Sequence, residues 1–224
     1  MVVHVETKDV QQLTDIEAGD FGDLVFRSAD WSVGFLTKEA EEWSLVSTVT
    51  QSDELAGFAY ASLERIGGTP AVLFGLVSTA GSQDPASILD ALESEYLERA
   101  RISFPDEDVV VAARCTQRSH LQLFAGLSDV CPVGGLRVGG EERAWGQRLA
   151  KRFQAKEFDR RTMIMSGHTD SPCFDSLSDG PESLRSISSF DSTRFDSLSE
   201  NEQLIVWGWA PAEYLSSHTP RVAV

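Results

Sequence analysis

The sequence predicts one α/β domain: a mixed, mostly antiparallel sheet with a single parallel strand–helix–strand crossover and helices on both faces. Three observations predict it. Three strand-like runs joined by tight turns fill residues 43 to 77. An amphipathic helix from Pro85 to about Arg101 is followed by the apolar run Asp108 to Ala113. A further strand signal, Gln203 to Trp209, returns after a long polar stretch.

Each element has a local reason. MVVHVE alternates weakly and suits a first strand. Val10, Leu13 and Ile16 then recur at helical spacing, with Gly19 as a stop. Residues 20 to 42 are apolar but aperiodic, carrying Phe21, Leu24, Phe26, Trp31, Phe35 and Leu36, and suit short helices along one side of a cleft. Trp43 to Thr50 is rich in β-branched residues and alternates, so it reads as a strand ending in the polar turn Gln51-Ser52-Asp53. Glu54 to Ile66 is a second strand in which Gly57 marks a bulge or a close approach. Gly67-Gly68 makes a tight hairpin, because two glycines permit positive φ at both turn positions. Ala71 to Val77 is almost wholly apolar, as a strand covered on both faces should be.

The helix from Pro85 places Ile88, Leu89, Leu92, Tyr96 and Ala100 on one face, with the Glu95–Arg99 pair elsewhere. Asp84 suits its N-cap and Pro85 its first position, where no N–H is needed. Strand, helix and buried strand imply a right-handed crossover. A shorter helix follows with Leu121, Phe124 and Ala125 inward, and Glu141 to Phe153 is helical again, with Trp145, Leu149 and Phe153 four apart. Gly134-Gly135 and Gly139-Gly140 flank a loop or short hairpin, and Thr162 to Met165 is a short strand candidate. Residues 166 to 201 are rich in Ser and Asp and carry FDSLS twice, at Phe174 and Phe195. They read as a long surface loop docked by its Phe residues, so the expected organisation is a core over 1–165, this loop, and a terminal strand and tail over 202–224.

Composition narrows the function classes. The chain has 224 residues, 42% of them hydrophobic, enough for one sizeable core. No apolar run approaches a membrane span, and the first residues lack a secretory pattern, so a cytoplasmic protein is the expectation. A formal net charge of −16 disfavours nucleic acid and anionic membrane, and suits a cationic substrate or a basic protein patch. Cys115, Cys131 and Cys173 form no disulfide framework, and His168 with Cys173 is too small a set for a metal, so no metal site is expected. Ser176, Ser186 and Ser188 have spacings that suit kinases, as Ser-rich loops do by chance.

The runs ELAGFAYASLERI, GGTP, AVLFGLVSTAG, PASILDALESEYLERA and DVVVAARCTQRSHLQLFAGL, in this order, resemble the GNAT superfamily of N-acyltransferases. The resemblance covers about 85 residues well. It implies a fourth strand that splays from the fifth, with acetyl-CoA or another acyl-CoA lying along its edge and the pyrophosphate on the next helix N-terminus. Val77, Thr79, Gly81 and Ser82 are then the cofactor candidates. The family's loop pattern is Arg/Gln-x-x-Gly-x-Gly/Ala, whereas here the loop reads Thr79-Ala80-Gly81-Ser82-Gln83-Asp84-Pro85-Ala86. Asp84 brings a carboxylate to the phosphate position and Pro85 removes a donor, so the cofactor site is expected to be weakened or absent. The family often places a proton-donating Tyr after strand five, where this chain has Leu123 and Phe124. Glu64 and Glu54 are candidate bases on a strand, and Cys115 or Ser119 beside His120 candidate nucleophiles. Trp207 and Trp209 share a strand face that suits ring stacking or core packing. If active, the protein is expected to act on a small amine or a basic protein. Otherwise it is a non-catalytic binding or assembly protein, and a homodimer suits either case.

Overall fold

The computed structural model describes residues 3–26, 33–79, 82, 84–133, 138–166, 190, 192–199 and 201–217. Four strands run antiparallel in sequence order: β1 (Val3–Asp9), β2 (Leu45–Gln51), β3 (Glu54–Ile66) and β4 (Thr69–Ser78). The chain then crosses through α3 (Pro85–Ser103) and returns as β5 (Val109–Cys115), parallel to β4. β9 (Glu202–Ala210) lies antiparallel on the other side of β5. It carries β8 (Ile164–Ser166), which pairs with β7 (Glu157–Asp159), and β6 (Ser128–Cys131) also pairs with β9. The architecture is therefore the mixed, mostly antiparallel sheet with one parallel crossover that the sequence predicts.

Turn chemistry sets the register. Ser52 and Asp53 take positive φ in the β2–β3 turn, and Gly67 and Gly68 do so in the β3–β4 hairpin. Opposite Val49 and Thr50, β3 carries one extra residue beside Gly57, so the expected bulge is present. A Cβ on Gly57 would lie 2.6 Å from the Ser78 carbonyl oxygen and 2.7 Å from Ile88, so glycine is also what lets α3 and the end of β4 close on β3.

The helices occupy both faces. α3 lies on one, where the Tyr96 hydroxyl donates to the Ala59 carbonyl (3.2 Å) and packs edge-on against Phe74. α1 (Asp15–Phe26), α2 (Val33–Glu42) and α4 (Gly140–Arg152) are the other helices of ten or more residues among those described. Phe21 of α1 stacks on Phe58 of β3, and Arg152 of α4 pairs with Glu64 of the same strand, so both lie opposite α3.

Several boundaries differ from the sequence reading. The first helix does not begin at Val10, which starts a short 3-10 turn, but at Asp15. A reciprocal Thr14–Glu17 capping box begins it: the Thr14 amide donates to Glu17 (2.9 Å) and the Glu17 amide donates to Thr14 Oγ1 (3.3 Å). It does not stop at Gly19 either, because Phe21 and Leu24 are buried beyond it and reward continuation. The helix after β5 is a seven-residue 3-10 turn, Arg118–Phe124, and Ala125 beyond it is only half-buried. Strands β6 and β7 and the short α5 (Ala212–Ser217) carry too few residues to show periodicity in sequence.

Candidate functional site where the parallel strands part

The β4–β5 ladder runs from Ala71–Val110 to Phe74–Ala113 and then ends, although β4 continues four residues to Ser78 and β5 two to Cys115. The cause lies in β4. Between the Ala59–Val77 and Ala61–Phe74 pairs, the single residue Tyr60 faces both Gly75 and Leu76. That extra residue bends β4 away from β5. Gly75 is required there, because a Cβ would meet the Trp43 indole at 2.2 Å.

The residues at this end of β4 are buried. Val77 and Ser78 have no exposed surface and Thr79 has 1%. On β5, Cys115 is fully buried and Arg114 is 1% exposed. The Arg114 guanidinium lies 5.7 Å from the Phe153 ring centre, so its charge sits among aromatic carbon on the α4 side. On the α3 side, Gln122 of the 3-10 turn donates to Asp90 of α3 (2.6 Å), tying together the two elements between which a ligand would have to lie.

Electrostatics at the start of α3 are equally occupied. The Asp84 amide donates to Ser82 Oγ (3.0 Å), Pro85 has no N–H, and the Ser87 amide donates to Asp84 Oδ1 (3.3 Å). Ala86 is left as the one amide of that turn without a partner among the described residues. Ser82 is further held by its hydroxyl on Gln51 (3.1 Å) and its amide on the Thr79 carbonyl (3.0 Å). A carboxylate already plays the part of the anion at this helix start. At the cofactor position that the resemblance implies, Val77 to Thr79 are thus buried and the Ser87 amide is already bonded to Asp84.

The other candidates are scattered. Gly81 and Gln83 lie outside the described residues, as do His168, Cys173, Ser176, Ser186, Ser188 and the Gly134-Gly135 pair. Glu64 accepts from Arg152 Nε (2.8 Å), and Arg152 also lies over the Trp43 ring at 5.0 Å, so this carboxylate is engaged in tying β3 to α4. Glu54 is exposed beside the Ser52-Asp53 turn. Ser119 is half-buried, and His120 is buried with Nδ1 accepting from the Thr116 amide (3.1 Å) and the Gln117 amide (3.4 Å). With that nitrogen occupied, burial pulls the imidazole from 6.5 down to about 3, so it stays neutral. Cys131 is buried, and its thiol is pushed up to about 12 by burial and by Glu142. Trp207 is buried and Trp209 packs perpendicular to Trp145, centres 5.6 Å apart.

Trp43 packed against Gly75, Arg114 beside Phe153 and Gln122 bound to Asp90 are not singled out by the sequence. A signal existed for Arg114, a lone charge inside the apolar run VVVAARC. Among the described residues no group of three or more potential metal ligands converges, and no helix is long and apolar enough to cross a membrane.

No family profile and no curated protein sequence matches this chain. Similar solved structures include an IAA acetyltransferase from Bacillus cereus, at 13% identity over 57% of this chain and 79% of that one, with a TM-score of 0.39. The ribosomal-protein-S18-alanine N-acetyltransferase from Escherichia coli matches at 13% identity over 57% and 81%, TM-score 0.38. An acyl-CoA N-acyltransferase from Pseudomonas aeruginosa matches at 15% over 55% and 83%, TM-score 0.38. At such identity no residue role is carried across.

Proposed function

We propose that this chain is an acyltransferase-fold protein whose cofactor position is closed, and that it acts by binding a partner rather than by transferring an acyl group. One observation carries the reading: the strand segment that would bear the cofactor, Val77 to Thr79, has at most 1% of its surface exposed. Asp84 as the cap of α3 supports it independently, since the pyrophosphate would have to displace a carboxylate from its own amide. The kinship with N-acyltransferases rests on the strand order and on the parting of β4 from β5. An acidic surface of net charge −16 suits a basic partner.

The test is thermal. A ligand that binds the native state raises its stability by mass action, by about 2.7 kcal/mol at a hundredfold excess over Kd. Acetyl-CoA and a long-chain acyl-CoA at millimolar concentration are expected to leave the Tm unchanged. The double variant Asp84→Gly, Pro85→Gly is expected to remain unresponsive too, because Val77 to Thr79 stay covered. A saturable rise in the unaltered protein would overturn the proposal and restore the catalytic reading, with a small amine or basic protein as the acceptor. A rise in the variant alone would put the whole block in the loop.

A further inference from the structure

The charge of this protein is unevenly spread. Residues 143 to 161 hold seven of the 19 cations and only two of the 35 carboxylates. Elsewhere twelve cations stand against 33 carboxylates. Solubility alone needs no such segregation.

The fold concentrates these cations further. Arg143, Ala144, Gln147 and Arg148 recur at helical spacing on one exposed stripe of α4. The turn between β7 and β8 brings Arg160 and Arg161 to the same place. Gly146 allows this, since a Cβ there would lie 2.5 Å from Met163 Sδ and 2.8 Å from the Phe158 ring. The four arginines together line an open cavity of about 650 Å³ that no carboxylate lines.

Two of the guanidinium groups are already held in place. Arg160 Nε donates to Gln147 Oε1 (2.8 Å), leaving its two terminal nitrogens to the cavity side or solvent. Arg148 lies over the Trp145 ring at 5.2 Å, and a Cβ on Gly67 of the hairpin turn would come within 3.5 Å of its Nε. None of the four arginines has a carboxylate partner among the described residues. The neighbouring Asp159 accepts the Arg161 backbone amide (2.8 Å), and that bond, with the Arg161 charge adding to it, holds its carboxyl below the usual range. Four guanidinium groups with one nearby carboxylate, Asp159, repel one another until an oxyanion joins them.

We infer that this groove between α4 and the β7–β8 turn is a binding site for a small, multiply charged phosphoryl group. Arginine forks match its oxygens in pairs, which lysines would not. The strongly acidic remainder of the surface repels long polyanions, so a compact ligand is favoured over a polynucleotide. The site is independent of the closed cofactor position, because α4 lies on the sheet face opposite α3. Failure of either leaves the other standing.

The experiment is calorimetric titration of the full chain with sodium pyrophosphate at constant ionic strength. Saturable binding at a Kd of about 1 mM or tighter is expected, the range that two or three charge-assisted hydrogen bonds supply. Arg160→Gln with Arg161→Gln should weaken it about tenfold or more, and Arg160→Lys, which keeps the charge but loses the fork, by less. Both residues are exposed, so the variants fold. No saturation by about 10 mM pyrophosphate, or an unchanged Kd in the double glutamine variant, would overturn the assignment. So would equal binding of chloride at matched ionic strength. A phosphoserine peptide binding more tightly than inorganic phosphate would identify a protein-borne phosphate as the ligand; equal binding would identify a free one. Tighter binding of a ten-nucleotide single strand than of pyrophosphate would overturn the small-ligand assignment.

Discussion

His120 shows how one residue's role depends on what surrounds it. Its sequence neighbours Cys115 and Ser119 suggest a base beside a nucleophile. In the folded chain its Nδ1 accepts two backbone amides and closes the turn that leads out of β5. The same burial makes it a pH sensor of stability. The unfolded imidazole takes up a proton near pH 6.5, whereas the folded one resists protonation down to about 3. Stability present above pH 6.5 is therefore lost as pH falls toward 3. Between pH 7.0 and 5.5, before carboxylates titrate, the loss from this group should be about 1 kcal/mol. Urea denaturation of the native chain and of His120→Gln should show it: the native chain weakens over that interval and the variant weakens less. Parallel pH dependence of the two would remove His120 from this role.

At the scale of elements, α3 is the part most legible in sequence. Asp84, Pro85, the apolar stripe and the Glu95–Arg99 pair (2.6 Å) all stand where the sequence predicts. Asp84→Ala should cost about 1 kcal/mol, the usual worth of such a cap. In a chain of this length that is a fall in Tm of about 2–4 °C. Differential scanning calorimetry checks it, and an unchanged Tm would mean that the Asp84–Ser87 bond contributes nothing. α1 is the contrary case. Its capping box was available as Thr14-Asp15-Ile16-Glu17, yet the apolar spacing of Val10, Leu13 and Ile16 points to an earlier start. Ile16 proves to be 79% exposed, so the spacing there reflected no buried face.

For the whole molecule, the charge distribution matters more than any single pair. The ion pairs Arg65–Glu107, Arg101–Glu98 and Arg118–Asp196 are largely exposed and each contributes little. A net charge of −16 acts over longer distances and opposes compaction. Raising NaCl from about 0.05 to 0.5 M shortens the screening length from roughly 14 to 4 Å and should raise the Tm by a few degrees. A fall in Tm over that range would show that the attractive pairs outweigh the repulsion.

The sequence by itself determined the antiparallel run from β2 to β4, the parallel crossover and the Asp84-Pro85 start of α3. All three follow from local patterns: period-two runs, a period-near-four stripe, two glycines in a turn and an aspartate before a proline. Only the tertiary structure decided that Val77 to Thr79, at the end of the parted strand, are buried. It also packs Trp43 against Gly75, sets Arg114 beside Phe153 and ties Gln122 to Asp90, contacts between residues far apart in sequence. It also decided that four arginines from two separate segments share one groove. Periodicity reports which side of its own element a residue lies on; it carries no information about which distant element will face it.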